Sequence, residues 1–512
     1  MQRLKSITCC RTPAMPKNAS LKLNFLLNIF LTASAFLFPV ITSPYISRVL
    51  LPEKTGQIAF ATSIISYFAL AARLGIPTYG IRACAQVRDN HTELSRTAQE
   101  IFIINLVMTI MVYIVFFISL FLVPEFHQER LLLLVISTTM LLNLLGMDWL
   151  YKSLEQYREI TIRSLFFNLA AIFLTFFFVR TKEDYILYGG ITVLASVGAN
   201  VPNFVTARKY ISFRPCGKYR FSRHLKPVFI LFALSVATTI YTNLDVVMLR
   251  LMTSSEEVGY YDAAIKIKNL MVIFATSLGT VLLPRISYYV KINEQKEFVR
   301  LLKTSFSFVF LTAVPLCIYF SVMARKSISL IFGDAYLPAA ASAQIVLPTV
   351  LMIGLTNVIG IQMLVPLGKE KLVVYSTCIG AAVDVILNAL LIPRYGCSGA
   401  AAGTLAAEFA VLLAQVWFIR PWLSTFSGAL QIRRACIALF PAAALLMLLK
   451  HFLDNGTFPG FDTFPNTVLA PNISTFLTLL ITASAFFGTY GISLLIQFWP
   501  TVRSRFIQPH NR

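Results

Sequence analysis

The residues of this chain that could do chemistry are arginines and acids set inside apolar stretches. Arg48, Arg73 and Arg82 fall within one hairpin, Phe38 to Gln86. A charge inside a bilayer-spanning helix is costly and asks for a reason. Three guanidiniums so close together suit either an anionic ligand or an anchor on the cytoplasmic side. Arg250 closes a later apolar run at the place equivalent to Arg48, so it joins the set. Lys266 follows Asp262 by four residues, which puts acid and base on one helix face in the favourable order. That pair is either neutralised internally or offered to a cavity. Lys268 points about 200° round the helix from Lys266.

Three acids lie within apolar runs of the second half. They are Asp245, Asp384 (one turn before Asn388) and Glu408 (one turn after Thr404). Carboxylates beside amides and hydroxyls suit a proton relay or an oxygen-ligand cation site. Hydrogen bonding between packed helices is the other reading. Asp148, beside Trp149 and Tyr151, reads as an interfacial anchor. The five histidines are scattered and the eight cysteines form no CxxC pair, so neither a metal cluster nor a disulfide framework is expected. No catalytic residues and no cofactor are expected.

The elements that must hold these groups follow from composition. Of 512 residues, 57% are hydrophobic and 13% are charged. Soluble domains carry about 25% charge, so the chain reads as an all-α polytopic membrane protein. Fourteen apolar runs are long enough to span. They group as a tail (1–22), a first six-span lobe (23–206), a basic linker (207–226) and a second six-span lobe (227–419). A second linker (420–434), a final pair of spans (435–497) and a tail (498–512) follow. Pro202, Pro315, Pro348 and Pro441 are candidate kinks.

The net charge is +21, with 31 Lys and Arg on alternate polar segments counted from the N-terminus and ten on the others. The positive-inside rule then places both termini in the cytoplasm. The longest basic linker, 208–226, reads as an anchor on anionic headgroups rather than a nucleic-acid site. No polar segment is long enough for a soluble catalytic domain. No cleavable signal opens the chain, and Met15 offers a second candidate start.

The two lobes share a repeat. LLPEKTGQIAFA (50–61) aligns with TSSEEVGYYDAA (253–264), matching Glu53 to Glu256, Gly56 to Gly259 and Ala61 to Ala264. Repeated halves around an axis are the common plan of secondary transporters.

Six stretches together resemble a family: FPVITSPYISRVLLPEKTGQIAFATSI, LGIPTYGIRACAQVRD, MDWLYKSLEQYREITIRSLFFN, NLDVVMLRL, SSEEVGYYDAAIKI and LIPRYGCSGAAAGTLAAE. Their order and spacing are similar to those of Wzx-type oligosaccharide flippases of the multidrug/oligosaccharidyl-lipid/polysaccharide exporter superfamily. The chain departs from the pattern at Leu51, where glycine is frequent, and at Arg73, where an acid is common. The resemblance implies two six-helix lobes plus two extra helices in the bacterial cytoplasmic membrane. It implies alternating-access transfer of undecaprenyl-diphosphate-linked oligosaccharide, with membrane lipids, a polysaccharide polymerase and chain-length proteins as partners. Arg48, Arg73, Arg250 and Lys266 would then meet the diphosphate, because guanidinium stays charged and binds phosphate bidentately. Asp245, Asp384, Asn388, Thr404 and Glu408 would couple transport to a sodium ion or a proton. A polymerase or glycosyltransferase on the same lipid carrier, and a drug/cation antiporter of the same fold, are the alternatives.

Overall fold

The computed structural model describes residues 21–215, 217–426, 431–454 and 470–507. Among these the chain is helical, with no strand. The second candidate start at Met15 and residues 455–469 lie outside the described residues. The helices in order are α1 (Leu21–Arg73), α2 (Ile76–Gln86), α3 (His91–Leu122), α4 (Arg130–Gly146), α5 (Asp148–Ser153), α6 (Tyr157–Phe178), α7 (Tyr185–Val197) and α8 (Asn200–Ala207). The second half continues with α9 (Ser222–Met252), α10 (Ser255–Lys291), α11 (Gln295–Val322), α12 (Ala324–Phe332), α13 (Ala339–Val346) and α14 (Thr349–Thr356). A π-helical stretch (Asn357–Leu364) leads to α15 (Glu370–Phe418), α16 (Ile432–Asp454) and α17 (Ala470–Ile507).

Eleven described helical stretches are long and apolar enough to cross a membrane. Two of these cover two expected spans each. A straight run of 49 residues would reach about 74 Å, far beyond a hydrocarbon core of about 30 Å, so the chain must turn back. In α1 it does so at Leu51 (φ 61°, ψ 170°), and in α15 at Gly396 (φ 54°, ψ −131°). Glycine adopts such a backbone freely. Leu51 stores strain of about 1–3 kcal/mol there. The expected span 227–250 falls inside α9. Pro202 and Pro348 sit at helix breaks, whereas Pro315 and Pro441 lie inside continuous helices.

Polarity is arranged for lipid. Phe440 is 79% exposed, and Leu122, Phe173 and Leu495 are similarly bare. Buried positions instead include Glu100, Asn105, Asp245, Asp384 and Asn388.

The fold divides into two compact units. The first comprises the described parts of Met1–Thr42 with Ile64–Val236; the second comprises Ser43–Ser63 with the described parts of Ala237–Arg512. Leu94, Ile101, Trp149, Leu150 and Val228 form part of the first core. Leu249, Tyr261, Phe298, Val350 and Ala400 form part of the second. α16 and α17 pack on α11 through Tyr319, Leu446 and Phe486, and Tyr490 donates to the Leu311 carbonyl at 3.0 Å.

In the second unit the two repeat copies meet. A Cβ on Gly56 would lie 1.8 Å from the Ser255 carbonyl oxygen and 2.8 Å from the Gly259 nitrogen. A Cβ on Gly259 would lie 2.1 Å from the Pro52 carbonyl oxygen. The matched glycines therefore mark a crossing where backbone touches backbone. Thr55 secures it through a 2.7 Å bond to the Tyr336 hydroxyl.

The basic linker of the first unit is more than a headgroup anchor, because its described part is strapped to α3. Gln99 donates to the Arg214 carbonyl at 2.9 Å, and Ser95 accepts from the Ser212 amide at 2.9 Å. Glu100, fully buried, accepts from the Arg220 amide at 2.6 Å, from Arg223 at 2.7 Å and from His224 at 2.7 Å. Burial lowers the His224 pKa, and the ring bridges the strap, with Nε2 2.7 Å from Glu100 and Nδ1 2.7 Å from the Tyr79 hydroxyl. Removing one member of such a buried network costs about 3–5 kcal/mol. Glu100→Ala should therefore free the strap, and trypsin should cut at Arg220 and Arg223 faster than in wild type. An unchanged cleavage rate would mean that Glu100 does not hold it.

Candidate functional site

Asp245 on α9 is the centre of the polar site in the second unit. It is 5% exposed and accepts three hydrogen bonds. Asn388 donates to Oδ1 at 2.7 Å; Thr404 (2.9 Å) and Tyr261 donate to Oδ2. The Tyr261 hydroxyl also lies 2.8 Å from the Thr404 hydroxyl.

The bend of α15 explains how one helix supplies two of these partners. Asn388 and Thr404 stand eight residues before and after Gly396. Folding back at Gly396 brings them together, and Gly403 allows the close approach: a Cβ there would lie 2.1 Å from Asn388 Oδ1. Asp384 and Glu408 stand twelve residues on either side of the same bend, so they form a second layer one turn further on. Lys268, two turns beyond Tyr261 on α10, acts electrostatically on Glu408, Asp245 and Asp384. Both Asp384 carboxylate oxygens and Asn388 Oδ1 are buried with no hydrogen-bond partner. All five residues expected to couple an ion thus converge. Tyr261 and Lys268 complete the group. The expectation from sequence passed over Tyr261, although its seven-residue spacing from Lys268 puts both on one helix face.

The cations expected to meet a diphosphate each have their own local setting. Arg48 donates to the carbonyls of Pro44 (2.5 Å), Ile331 (3.2 Å) and Leu330, the last two at the C-terminal end of α12. That is a helix-end cap, where a cation also meets the negative pole of the helix dipole. Lys266 binds Asp262 at 2.6 Å. Arg250 lies over the Phe60 ring at 5.8 Å.

Arg73, expected within the second span, instead ends α1. Leu74 turns the chain with φ 47°, and α2 restarts with Pro77 in its first turn. Arg73 lines a pocket of the first unit. Asp148 lines it too, which corrects the reading of Asp148 as an interfacial anchor. Asn203 donates to Asp148 Oδ1 at 3.2 Å, and Arg163 donates to Asn203 Oδ1 at 2.7 Å, so the carboxylate is held in place. Asn105, Asn143, Asn200 and Lys152 supply further polar wall. The asparagines carried no sequence signal, since Asn is frequent and only packing brings three of them together.

Comparison with known proteins agrees with this architecture. The family model described as "Polysaccharide biosynthesis protein" matches residues 21–290, and the MatE model matches residues 231–390. A protein of Escherichia coli (strain K12) named "Putative O-antigen transporter" is 25% identical over 404 residues, covering 78% of this chain and 97% of its own. The structure of lipid II flippase MurJ in an inward closed conformation superposes with a TM-score of 0.68 at 15% identity, covering 94% of this chain and 100% of that one. An inward-facing MATE-family multidrug transporter gives 0.59 at 12% identity, over 78% of this chain and 99% of that one. At these identities the structures show the fold alone. The first family model spans more than half of the sequence, and the chain belongs to the polysaccharide biosynthesis protein family, as a Wzx-type member of the multidrug/oligosaccharidyl-lipid/polysaccharide exporter superfamily.

Proposed function

We propose that this protein flips undecaprenyl-diphosphate-linked oligosaccharide units across the bacterial cytoplasmic membrane by alternating access. The units would serve a surface polysaccharide (O-antigen, capsule or exopolysaccharide) and pass to polymerase and chain-length proteins. The observation that carries this reading is the near full-length match to the Escherichia coli relative named as an O-antigen transporter. The polar geometry supports it. A polymerase or glycosyltransferase needs a positioned acid–base pair beside reacting atoms, whereas the acids of the Asp245 site are buried inside apolar helices, and Asp245 accepts bonds from its neighbours. A cationic drug would favour an acidic, apolar site; the pocket of the first unit carries Arg73 and Lys152 against Asp148. Arg250 is among the cations offered to the diphosphate.

The Asp245 site would supply coupling. Its three orphaned atoms, two on Asp384 and one on Asn388, are all acceptors. A proton or an oxygen-ligated cation answers that set. Among the described residues no three His, Cys, Asp or Glu side chains converge on a metal position, so a sodium ion would draw on hydroxyl, amide or backbone oxygens as well.

Deletion of the gene, followed by tracking of lipid-linked oligosaccharide, tests the function. Intact repeat units should accumulate on the cytoplasmic face. Single units accumulating on the outer face would assign the protein to polymerisation and sink the flippase reading.

A further inference from the structure

The Asp245 site depends on the bend of α15, and a side chain outside the site holds that bend. Where α15 turns at Gly396, its second arm (397–418) opens with N–H groups that find no carbonyl in a preceding turn. Gly396 has no side chain with which to cap them. The cap comes from another helix. Glu257, in the first turn of α10, accepts from the Cys397 N–H at 2.7 Å. The fit is close, since a Cβ at Gly396 would lie 2.8 Å from the Glu257 carboxyl carbon. A carboxylate at this end of a helix also meets the positive pole of its dipole.

Glu257 is fixed in its turn, because the Ser254 hydroxyl accepts from its backbone N–H at 3.4 Å. Glu257, Tyr261, Ala264 and Lys268 follow one another at spacings of four, three and four residues, so they share one face of α10. That face meets the bent helix at three depths. Glu257 holds the bend, Tyr261 bonds Thr404 and Asp245, and Lys268 acts on Glu408 and Asp384. Thr404 stands two turns after Cys397. Its 2.9 Å bond to Asp245 therefore depends on where the second arm starts. So does the close approach of Gly403 to Asn388. We propose that Glu257 is a positioning residue for the Asp245 site: by capping the second arm of α15, it sets Thr404 against Asn388 and Asp245. This rests on the reading of the Asp245 site as the coupling site.

Glu257→Ala and Glu257→Gln, made in the full-length protein, test the role. Ser398 meets Ser342 on α13 at 3.3 Å, so the second arm keeps a tie when Glu257 is shortened. Glutamine keeps an acceptor oxygen. In detergent, the Cys397 amide of Glu257→Ala should exchange with deuterium at least about tenfold faster than in wild type, the worth of one charge-assisted bond. Glu257→Gln should stay near wild type. In vesicles carrying the lipid-linked repeat unit of the host, proton and sodium gradients are imposed one at a time. Glu257→Ala should need about tenfold more of the driving ion for half-maximal transport, with its maximal rate retained. A merely structural role would instead lower the maximal rate, through the amount of folded protein, and leave half-saturation unmoved. Unchanged exchange or unchanged half-saturation in Glu257→Ala overturns the proposal. So does fast exchange in Glu257→Gln, which decides the matter if the alanine variant does not fold. The two readings fail separately. If Asp245→Asn still follows the gradient, the coupling site is lost whatever Glu257 does. If Asp245→Asn is uncoupled while Glu257→Ala answers the ion as wild type does, the positioning role alone fails.

Discussion

Purified Asp245→Ala protein is expected to lose about 3–5 kcal/mol of stability, the usual cost of removing one member of a buried polar network. Asp245 is the common acceptor for Tyr261, Asn388 and Thr404, and all three are at most 8% exposed. Without it, three buried donors lose an acceptor, and none can reach water. Each such loss costs about 1–3 kcal/mol alone, but the three share one partner and do not add. Thermal unfolding in detergent measures the effect, and a variant as stable as wild type would contradict this geometry. Asp245→Asn separates stability from coupling. It keeps the side-chain shape and one acceptor oxygen while removing the charge. It should stay folded, yet transport in vesicles should no longer follow an imposed proton or sodium gradient. A variant that still follows the gradient removes Asp245 from coupling.

Alanine at Gly259 should destabilise the protein through a single added methyl group. Its Cβ would lie 2.1 Å from a backbone oxygen of Pro52, closer than any van der Waals contact. A flexible side chain could swing aside, but backbone on both sides of the crossing cannot. Overpacking of this kind costs about 1–3 kcal/mol, and more when nothing can relax. Gly56→Ala meets the Ser255 backbone in the same way and should behave alike. Gly488→Ala and Gly491→Ala are the controls, since a Cβ at either has nothing within 4 Å. They should leave the unfolding midpoint unchanged or raise it, because alanine favours helix over glycine by about 1 kcal/mol. Equal midpoints for Gly259→Ala and the controls would mean that the crossing is looser than described.

How much of this was legible in sequence depended on whether a residue violated its surroundings. An acid in an apolar helix is conspicuous, so Asp245, Asp384 and Glu408 stood out. Asn388 and Thr404 followed because they sit one turn from an acid. Tyr261 did not stand out, since tyrosine belongs naturally in such helices and its role depends on which helix packs opposite. The same holds for Asn105, Asn143 and Asn200. The local partners of the cations were less legible. Arg48 found the open carbonyl end of α12, a partner some 280 residues away that no local spacing announces. Lys266 took Asp262, the partner its four-residue spacing offered. The all-helical membrane fold was plain from composition. The sharp turns at Leu51 and Gly396 account for two of the three by which the fourteen expected runs exceed the eleven helical stretches: a bend made by one residue joins two spans into one stretch.

The placement of Ser43–Ser63 in the second unit has a consequence for biosynthesis. Gly56 emerges from the ribosome 203 residues before Gly259, its contact partner. At about 5–20 residues per second, Gly56 waits some 10–40 s for the backbone it packs against. The first unit can assemble during that interval, but the second cannot close until its own α10 is made. Residues 43–63 are therefore made well before the backbone that packs against Gly56, and the nascent chain must carry that contact surface uncovered until α10 follows.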